Sequence, residues 1–265
     1  MLQKKRLILQ SFLNNSYHFI YMKHTTNFFI FLFFTFPFYT SCVFSNKTIY
    51  GNHQLVNERI NINNYEKVIL NLPGEVFYQQ FSDSAPYLQI HTDENIFKVL
   101  DVRVQDDKLI IDVKKDSIIS PSKLTIYTCS HGLDYVMING SGEIRLKGEV
   151  NANDLSLNII GSGNLLADSL LCNMLTVKII GAGNAKLTGA SNESLFTITG
   201  SGNIEAFNFF LQKLNCKITG AGNIEAFVND KLDVQIIGSG NLSYRGDPEP
   251  IKKVITGSGT VEAVN

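Results

Sequence analysis

A four-residue phrase that recurs seven times constrains the fold of this chain most strongly. The phrase is Gly-Ser/Ala-Gly, followed in five copies by Asn, and it begins at Gly140, Gly161, Gly181, Gly200, Gly220, Gly238 and Gly257. Subtracting successive positions gives spacings of 21, 20, 19, 20, 18 and 19 residues. So short and regular a period is typical of a solenoid, in which each repeat buries its apolar face by stacking on its neighbours.

The residues before each phrase alternate between apolar and polar. An isoleucine stands two residues before the first glycine in every copy, and these isoleucines are Ile138, Ile159, Ile179, Ile198, Ile218, Ile236 and Ile255. Their neighbours on either side are mostly polar, and the alternation resumes after the phrase. This pattern predicts strands on both sides of a tight glycine corner, with the isoleucines forming one column of the core.

The fourth position of the phrase predicts a second column. It is filled by Asn164, Asn184, Asn203, Asn223 and Asn241, with Glu143 and Thr260 in the terminal copies. Because the units are alike and follow one another in the same order, we expect parallel coils about 4.8 Å apart, with a ladder of amides at the corner. The sequence therefore predicts an all-β fold, a right-handed parallel β-helix (β-solenoid) of about seven rungs.

The first 41 residues have the composition of an export signal. They contain four basic residues and no acidic residue, and an apolar run over 28–39 leads to Thr40-Ser41-Cys42. We expect residues 1–41 to be a lipoprotein signal peptide with Cys42 as the lipidated residue, and Met22 is an alternative start. Simple secretion and an uncleaved anchor are the two alternatives.

The remaining chain divides into three parts by pattern. Residues 42–64 are polar and rich in Asn, which predicts a tether, and residues 65–130 predict an N-terminal β portion that caps the solenoid repeats of 131–265. Within 65–130 the pattern predicts one helical turn after Asp93 and a hairpin at Asp106-Asp107-Lys108. It leaves open whether this portion continues the solenoid or forms a separate sheet.

Charge and cysteine usage exclude several classes of protein. Without the four basic residues of the leader, the chain has 19 basic and 24 acidic residues, which gives a net charge near −5. This charge argues against a nucleic-acid partner. Cys129, Cys172 and Cys216 fall about two or more rungs apart, too far for a disulfide. The histidines are dispersed and the glycine phrases lack the features of a nucleotide-binding loop, so we expect no metal site and no cofactor.

Glu205 and Glu225 are the only candidates for catalysis. Both stand in the phrase Asn-Ile-Glu-Ala-Phe, at one outward position of successive rungs, so their backbones should lie near 5 Å apart. Retaining glycosidases place two carboxyl groups at about 5–5.5 Å. Repeat copying produces such pairs without function, however, and Lys186 stands one rung from Glu205. We therefore interpret the pair as part of a solvated face, with catalysis as the alternative.

An aromatic patch follows the same phrases. It comprises Phe207, Phe209 and Phe210, and we expect Phe227 to lie one rung on from Phe207. Packing across a loop side is the preferred interpretation, and an exposed contact surface is the alternative.

Three features of the sequence together resemble a known family. They are the lipobox-like end of the leader, the segment Asp106-Asp107-Lys108-Leu109-Ile110-Ile111 and the repeated Gly-Ser-Gly-Asn phrase. From about Tyr65 to Asn265 the chain resembles the auto-transporter adhesins with a head GIN domain, which are bacterial envelope lipoproteins of unknown function. The resemblance implies a β-solenoid of the pectate-lyase-like class and brings no catalytic residues.

Three functions are compatible with these patterns. The preferred hypothesis is a non-enzymatic lipoprotein, exported and anchored by its lipid in the Gram-negative cell envelope, at the outer membrane, which presents its side faces to glycan or protein. The alternatives are a carbohydrate-active enzyme, either a lyase or a glycosidase, and a purely structural envelope component.

Overall fold

The computed structural model describes residues 48–115 and 117–264, of which 74% lie in strands and 2% in one short helix. The predicted signal peptide and Cys42 lie outside the described residues. The elements are β1 (Thr48–Tyr50), β2 (Leu55–Asn61), β3 (Lys67–Leu70), β4 (Glu75–Gln80), β5 (Tyr87–Asp93), α1 (Glu94–Phe97), β6 (Leu100–Gln105), β7 (Lys108–Val113), β8 (Ile118–Ser120), β9 (Leu124–Ser130), β10 (Tyr135–Gly140), β11 (Glu143–Gly161), β12 (Asn164–Gly181), β13 (Asn184–Gly200), β14 (Asn203–Gly220), β15 (Asn223–Gly238), β16 (Asn241–Arg245), β17 (Ile251–Gly257) and β18 (Thr260–Ala263).

The glycine repeats form a stack of parallel coils. Each of the strands β11 to β15 makes one coil and pairs in parallel with the next along most of its length. The register sets Ile179 beside Ile198 and Ile198 beside Ile218. The parallel β-solenoid predicted from the sequence is confirmed, with about 6 turns instead of the seven rungs expected. Its handedness stays a prediction.

Each coil has three sides, because the alternation of buried and outward-pointing residues is interrupted at two places within it. In β14 the buried groups are Ile204 and Ala206, then Phe209 and Leu211, and then Leu214, Cys216 and Ile218. Two consecutive residues that point away from the core separate each group from the next, which marks a bend in the chain. We call these sides, in chain order from the glycine corner, the first, second and third faces of the solenoid.

Glycine at the corner allows the coils to approach closely. Gly220 has a φ of +122°, and a Cβ added to Gly222 would lie 2.5 Å from the carbonyl oxygen of Gly202 in the preceding coil. Any other residue at Gly222 would therefore push two coils apart.

The isoleucine column is buried from Ile138 to Ile236, where no member is more than 1% exposed. Ile255 differs from the prediction, since it is 41% exposed. It belongs to the last coil, and no described residue covers that coil from the far side. Lys253 occupies the inward position beside Val234 and places its ammonium 5.4 Å from the centre of the Tyr244 ring. An inward charge suits a solenoid end, since it opposes the addition of a further strand.

The N-terminal portion both continues the solenoid and caps it. β3 and β4 stack in parallel on β10 and β11, and β7 and β9 stack in parallel on β3 and β4. Antiparallel strands then end the stack, with β6 on β7, β5 on β9 and β2 on β5. The predicted hairpin joins β6 to β7, and its two central residues, Asp106 and Asp107, have φ of 51° and 58°, as a tight hairpin turn requires.

The predicted tether is wrong for part of its length, because two strands lie within 42–64. β1 pairs in parallel with β8, and β2 pairs with β5 over seven residues. Most of β2 is exposed, which explains why its sequence is polar.

Asp93 holds this cap together. Its carboxylate lies beside α1 but makes no helix-capping bond, contrary to the role expected for a cap residue. It accepts hydrogen bonds instead from the amide of His53 (2.8 Å) and from the amide and hydroxyl of Ser122 (2.8 and 2.6 Å). Burial by itself would raise the pKa of Asp93, but these bonds outweigh it and hold the pKa below its usual 3.8.

We predict that Asp93→Asn lowers the free energy of unfolding by about 1–3 kcal/mol at pH 7, since charge-assisted hydrogen bonds are lost. A lowered folded-state pKa means that the contribution of Asp93 is present above pH 3.8 and is lost as the pH falls through the folded value. Urea titrations of both proteins from pH 7 to pH 2 should therefore converge. The exposed Asp83→Asn serves as control, and a difference that does not change with pH would contradict this role.

Candidate interaction surface

The surface of the solenoid is organised in columns, because the register repeats each outward position one coil further on. On the first face Lys186 pairs with Glu205, and Glu205 with Glu225. The same column continues to Ser243 and Glu262. The structure therefore places the two candidate carboxylates side by side in neighbouring coils.

The asparagines of the corner lie beside this column and bond one another. Each side-chain NH2 donates to the side-chain oxygen of the preceding coil, from Asn184 to Asn164 at 3.1 Å, from Asn203 to Asn184 at 2.9 Å, and from Asn223 to Asn203 and Asn241 to Asn223 at 3.0 Å. The amide and hydroxyl of Thr260 then donate to Asn241. The ladder is continuous over six coils.

An open groove of about 510 Å³ runs along the two columns. It is lined by Asn203, Ile204, Glu205, Asn223, Ile224, Glu225, Asn241, Ser243, Thr260 and Glu262. The side chain of Glu205 is 53% exposed and forms an ion pair of 3.3 Å with Lys186. A solvated, paired carboxylate lacks the desolvated surroundings that prepare a carboxylic acid for acid catalysis. The groove is suited to binding polar groups along its length.

Aromatic side chains extend the first face towards the cap. Phe77 and Tyr127 stack with their ring centres 5.0 Å apart, and the guanidinium of Arg145 lies 5.7 Å from the centre of the Phe77 ring. Sequence patterns do not reveal this cluster, because β4 and β9 lack the glycine phrase that sets the register in the repeats, so nothing in the sequence aligns them with β11.

The aromatic patch of the second face differs from the prediction. Phe227 pairs with Phe210 and not with Phe207, and their ring centres are 4.9 Å apart. The cause is a shift of register between Ala206 and Phe210, where β14 is longer than β15. Phe209 is fully buried, so one ring of the patch packs in the core, whereas Phe210 is 51% exposed.

An amide column that the sequence analysis missed borders this patch. Asn192 donates to the side-chain oxygen of Asn173 at 3.0 Å, and the register places Asn153 before them and Gln212 after them. All four side chains are exposed. The spacing of these amides, 19 or 20 residues, was the signal that could have revealed the column.

The remaining candidate chemistry is sparse in the described residues. Within 48–115 and 117–264 no group of His, Cys, Asp and Glu side chains could hold a metal ion, and no helix is long and apolar enough to span a membrane. Cys129, Cys172 and Cys216, the cysteines of this part of the chain, are free. Burial raises the pKa of the Cys216 thiol to about 12 and also raises that of Cys172, so both are weak nucleophiles.

We predict that Asn203→Ala destabilises the protein by about 1–3 kcal/mol, because it breaks two ladder bonds and leaves the half-buried amide of Asn184 and the exposed amide of Asn223 with one partner fewer. Asn215→Ala, an exposed asparagine in the same coil, is the matched control and should change stability by less than about 0.5 kcal/mol. Urea denaturation measures both. Equal losses of stability in the Asn203→Ala and Asn215→Ala proteins would show that the ladder does not contribute to the stability of the fold.

Several known structures are similar to this chain. A "putative lipid binding protein" from Parabacteroides distasonis is 29% identical with a TM-score of 0.71, over 83% of this chain and 100% of that one. A "putative adhesin" from Bacteroides fragilis is 26% identical with a TM-score of 0.77, over 82% and 100%. Another from Parabacteroides merdae is 28% identical with a TM-score of 0.69, over 82% and 99%. No curated protein matches the chain.

A family model matches residues 64–248, which is well over half of the chain and includes all but the last of the glycine phrases. The resemblance inferred from the repeated phrase is confirmed. The chain belongs to the family described as "Putative auto-transporter adhesin, head GIN domain".

Proposed function

We propose that this protein is a non-enzymatic adhesion protein of the Gram-negative cell envelope, which presents the faces of its solenoid to glycan or protein at the cell surface. The observation that carries the proposal is the arrangement of its surface in columns, in which like side chains repeat from coil to coil. Glu205 beside Glu225 and the Asn164–Asn241 ladder are examples. Such a surface offers many weak, equivalent contacts to a long or repetitive partner.

The family and its structural neighbours support this reading. The family and two of the similar structures are described as adhesins, although a third is described as a lipid binding protein. Membership brings no catalytic residues to this chain, and its best candidate carboxylates are solvated.

Anchoring by lipid is the second part of the proposal. The basic start, the apolar run over 28–39 and Cys42 after Ser41 form a leader of the lipoprotein type. We infer export, cleavage before Cys42 and a lipid anchor in the outer membrane.

A carbohydrate-active enzyme remains the second candidate, because the register sets Glu205 and Glu225 in neighbouring coils within one groove. It requires that one carboxylate act as acid and the other as nucleophile. Release of reducing sugar from a bound polysaccharide, abolished by Glu205→Gln with Glu225→Gln, would establish the enzyme. Binding without turnover favours the adhesin.

The anchor and the adhesion are tested together in a Gram-negative host that produces the full chain or its Cys42→Ser variant. We predict that the wild-type protein fractionates with membranes and that its cells bind immobilised glycans or proteins. Cys42→Ser should leave the membrane fraction and abolish cell binding, while the purified variant still binds the same surfaces.

Cys172→Ser is the control for cysteine replacement, and it should behave as wild type in both assays. Equal membrane association of Cys42→Ser and wild type would contradict the lipid anchor. Failure of both intact cells and purified protein to bind any glycan or protein surface would contradict the adhesin.

A further inference from the structure

The second face carries a strip without charge. Its outward residues from β12 to Asn229 of β15 are uncharged, with the exposed Asp230 following Asn229 and Arg245 pairing with Phe227 in the next coil: Ser169, Leu171, Asn173, Thr188, Ala190, Asn192, Asn208, Phe210, Gln212, Phe227 and Asn229. Charged residues border it on both sides, among them the ion pairs of Lys147 with Asp168 and of Lys213 with Glu193. The strip is therefore a neutral band on a protein whose other faces carry ions.

Two parallel columns form the centre of the strip, beside Ser169, Thr188 and Asn208. The first runs through Leu171, Ala190, Phe210 and Phe227, in which Leu171 is 40% exposed and Phe210 is 51% exposed. The second is the part of the amide column that runs through Asn173, Asn192 and Gln212, and Asn153 of β11 extends it beyond the strip. Both columns follow the solenoid axis, with one residue for each step of about 4.8 Å.

The amide column still has hydrogen-bonding capacity. A side-chain amide offers two donors and an acceptor with two lone pairs, and one bond of 3.0 Å joins Asn192 to Asn173. Asn153 also donates to the carboxylate of Asp154 at 2.9 Å. The other side-chain donors and acceptors of the column are exposed and lie beside an exposed aromatic ring. Groups that both donate and accept, next to an apolar face, match the hydroxyls and the CH groups of a sugar ring.

We propose that this strip, the residues from Ser169 to Asn229 named above, binds a neutral polysaccharide that lies along the solenoid axis. The inference rests on the proposed adhesive function and names its ligand class. Sugar units that follow one another along the chain would meet one amide per coil and would pack against Phe210. Because the strip itself carries no charge, we expect it not to prefer polysaccharides that contain uronic acids or sulfated sugars.

Other occupants fit the strip less well. A second copy of this chain would need a contiguous apolar interface, but Ala190 separates Leu171 from Phe210 and polar amides lie beside both. A lipid surface would have to desolvate those amides without hydrogen bonds. The strip has no Lys or Arg of its own for phosphate groups, and the guanidinium of Arg245, at its end in β16, lies 4.3 Å from the centre of the Phe207 ring.

Affinity electrophoresis of the full chain through gels that contain β-1,4-linked glucan, mannan or xylan tests the proposal, with polygalacturonate as the charged comparison. We expect retardation by at least one neutral polymer and none by polygalacturonate. Phe210→Ala and Asn192→Asp should each weaken that binding about tenfold, since one removes the ring and the other introduces a charge beside the hydroxyls. Both positions are exposed, so circular dichroism should show an unchanged fold.

Leu195→Ala is the matched control, since Leu195 is 42% exposed on the third face. This variant should bind the neutral polymer as wild type does. Binding that is unaffected by Phe210→Ala and Asn192→Asp would overturn the strip as the site while leaving the adhesin in place. Adhesion to protein surfaces without any polysaccharide binding would also overturn the strip as a polysaccharide site and leave the adhesin in place.

Two further outcomes would overturn the proposal. One is Phe210-dependent binding to vesicles of phosphatidylethanolamine and cardiolipin without binding to neutral polymer. The other is a Phe210-dependent dimer, measured by analytical ultracentrifugation, that excludes the polysaccharide.

Discussion

The close backbone contact at the glycine corner determines the rest of the structure. In each coil the amide of the second residue of the phrase donates to the carbonyl of the first glycine one coil below, as from Ser201 to Gly181 and from Ala221 to Gly200, both at 2.9 Å. Because neither glycine of the phrase carries a Cβ, the coils reach this distance and cannot slip by a residue. The fixed register aligns the isoleucines inside and the surface columns outside.

That contact also explains how far the sequence predicts the structure. Wherever the phrase is present, the isoleucine column, the amide ladder and the adjacency of Glu205 and Glu225 follow from counting residues. The prediction fails away from the phrase and also in the last coil of the stack, each time for a definite physical reason. Phe227 pairs with Phe210 because extra residues in β14 shift the register on the second face, and Ile255 is exposed because it lies at the end of the stack. The polar sequence of β2 predicts a tether and not a strand, because most of the side chains of β2 face solvent.

The N-terminal portion lacks the phrase and is held by interactions that sequence patterns do not reveal. Asp93 joins segments that are 29 and 40 residues away. The buried hydroxyl of Tyr78 lies 2.9 Å from that of Ser130, and burial raises the pKa of Tyr78 to about 12. These contacts order the cap, and an ordered cap protects the strand edges that would otherwise recruit other chains. A periodic surface can then be displayed without aggregation, as the proposed adhesive function requires.

The parallel stacking of the coils is tested most directly by disulfide formation between introduced cysteines, in a Cys172→Ser background. Thr197 and Lys217 are register partners in neighbouring coils, whereas Lys178 and Lys217 lie two coils apart. One coil step is about 4.8 Å, within disulfide range, and two steps are beyond it. The Thr197→Cys/Lys217→Cys protein should therefore oxidise readily, and the Lys178→Cys/Lys217→Cys protein should stay reduced. Rapid oxidation of the second pair, or none of the first in a folded protein, would contradict the parallel solenoid.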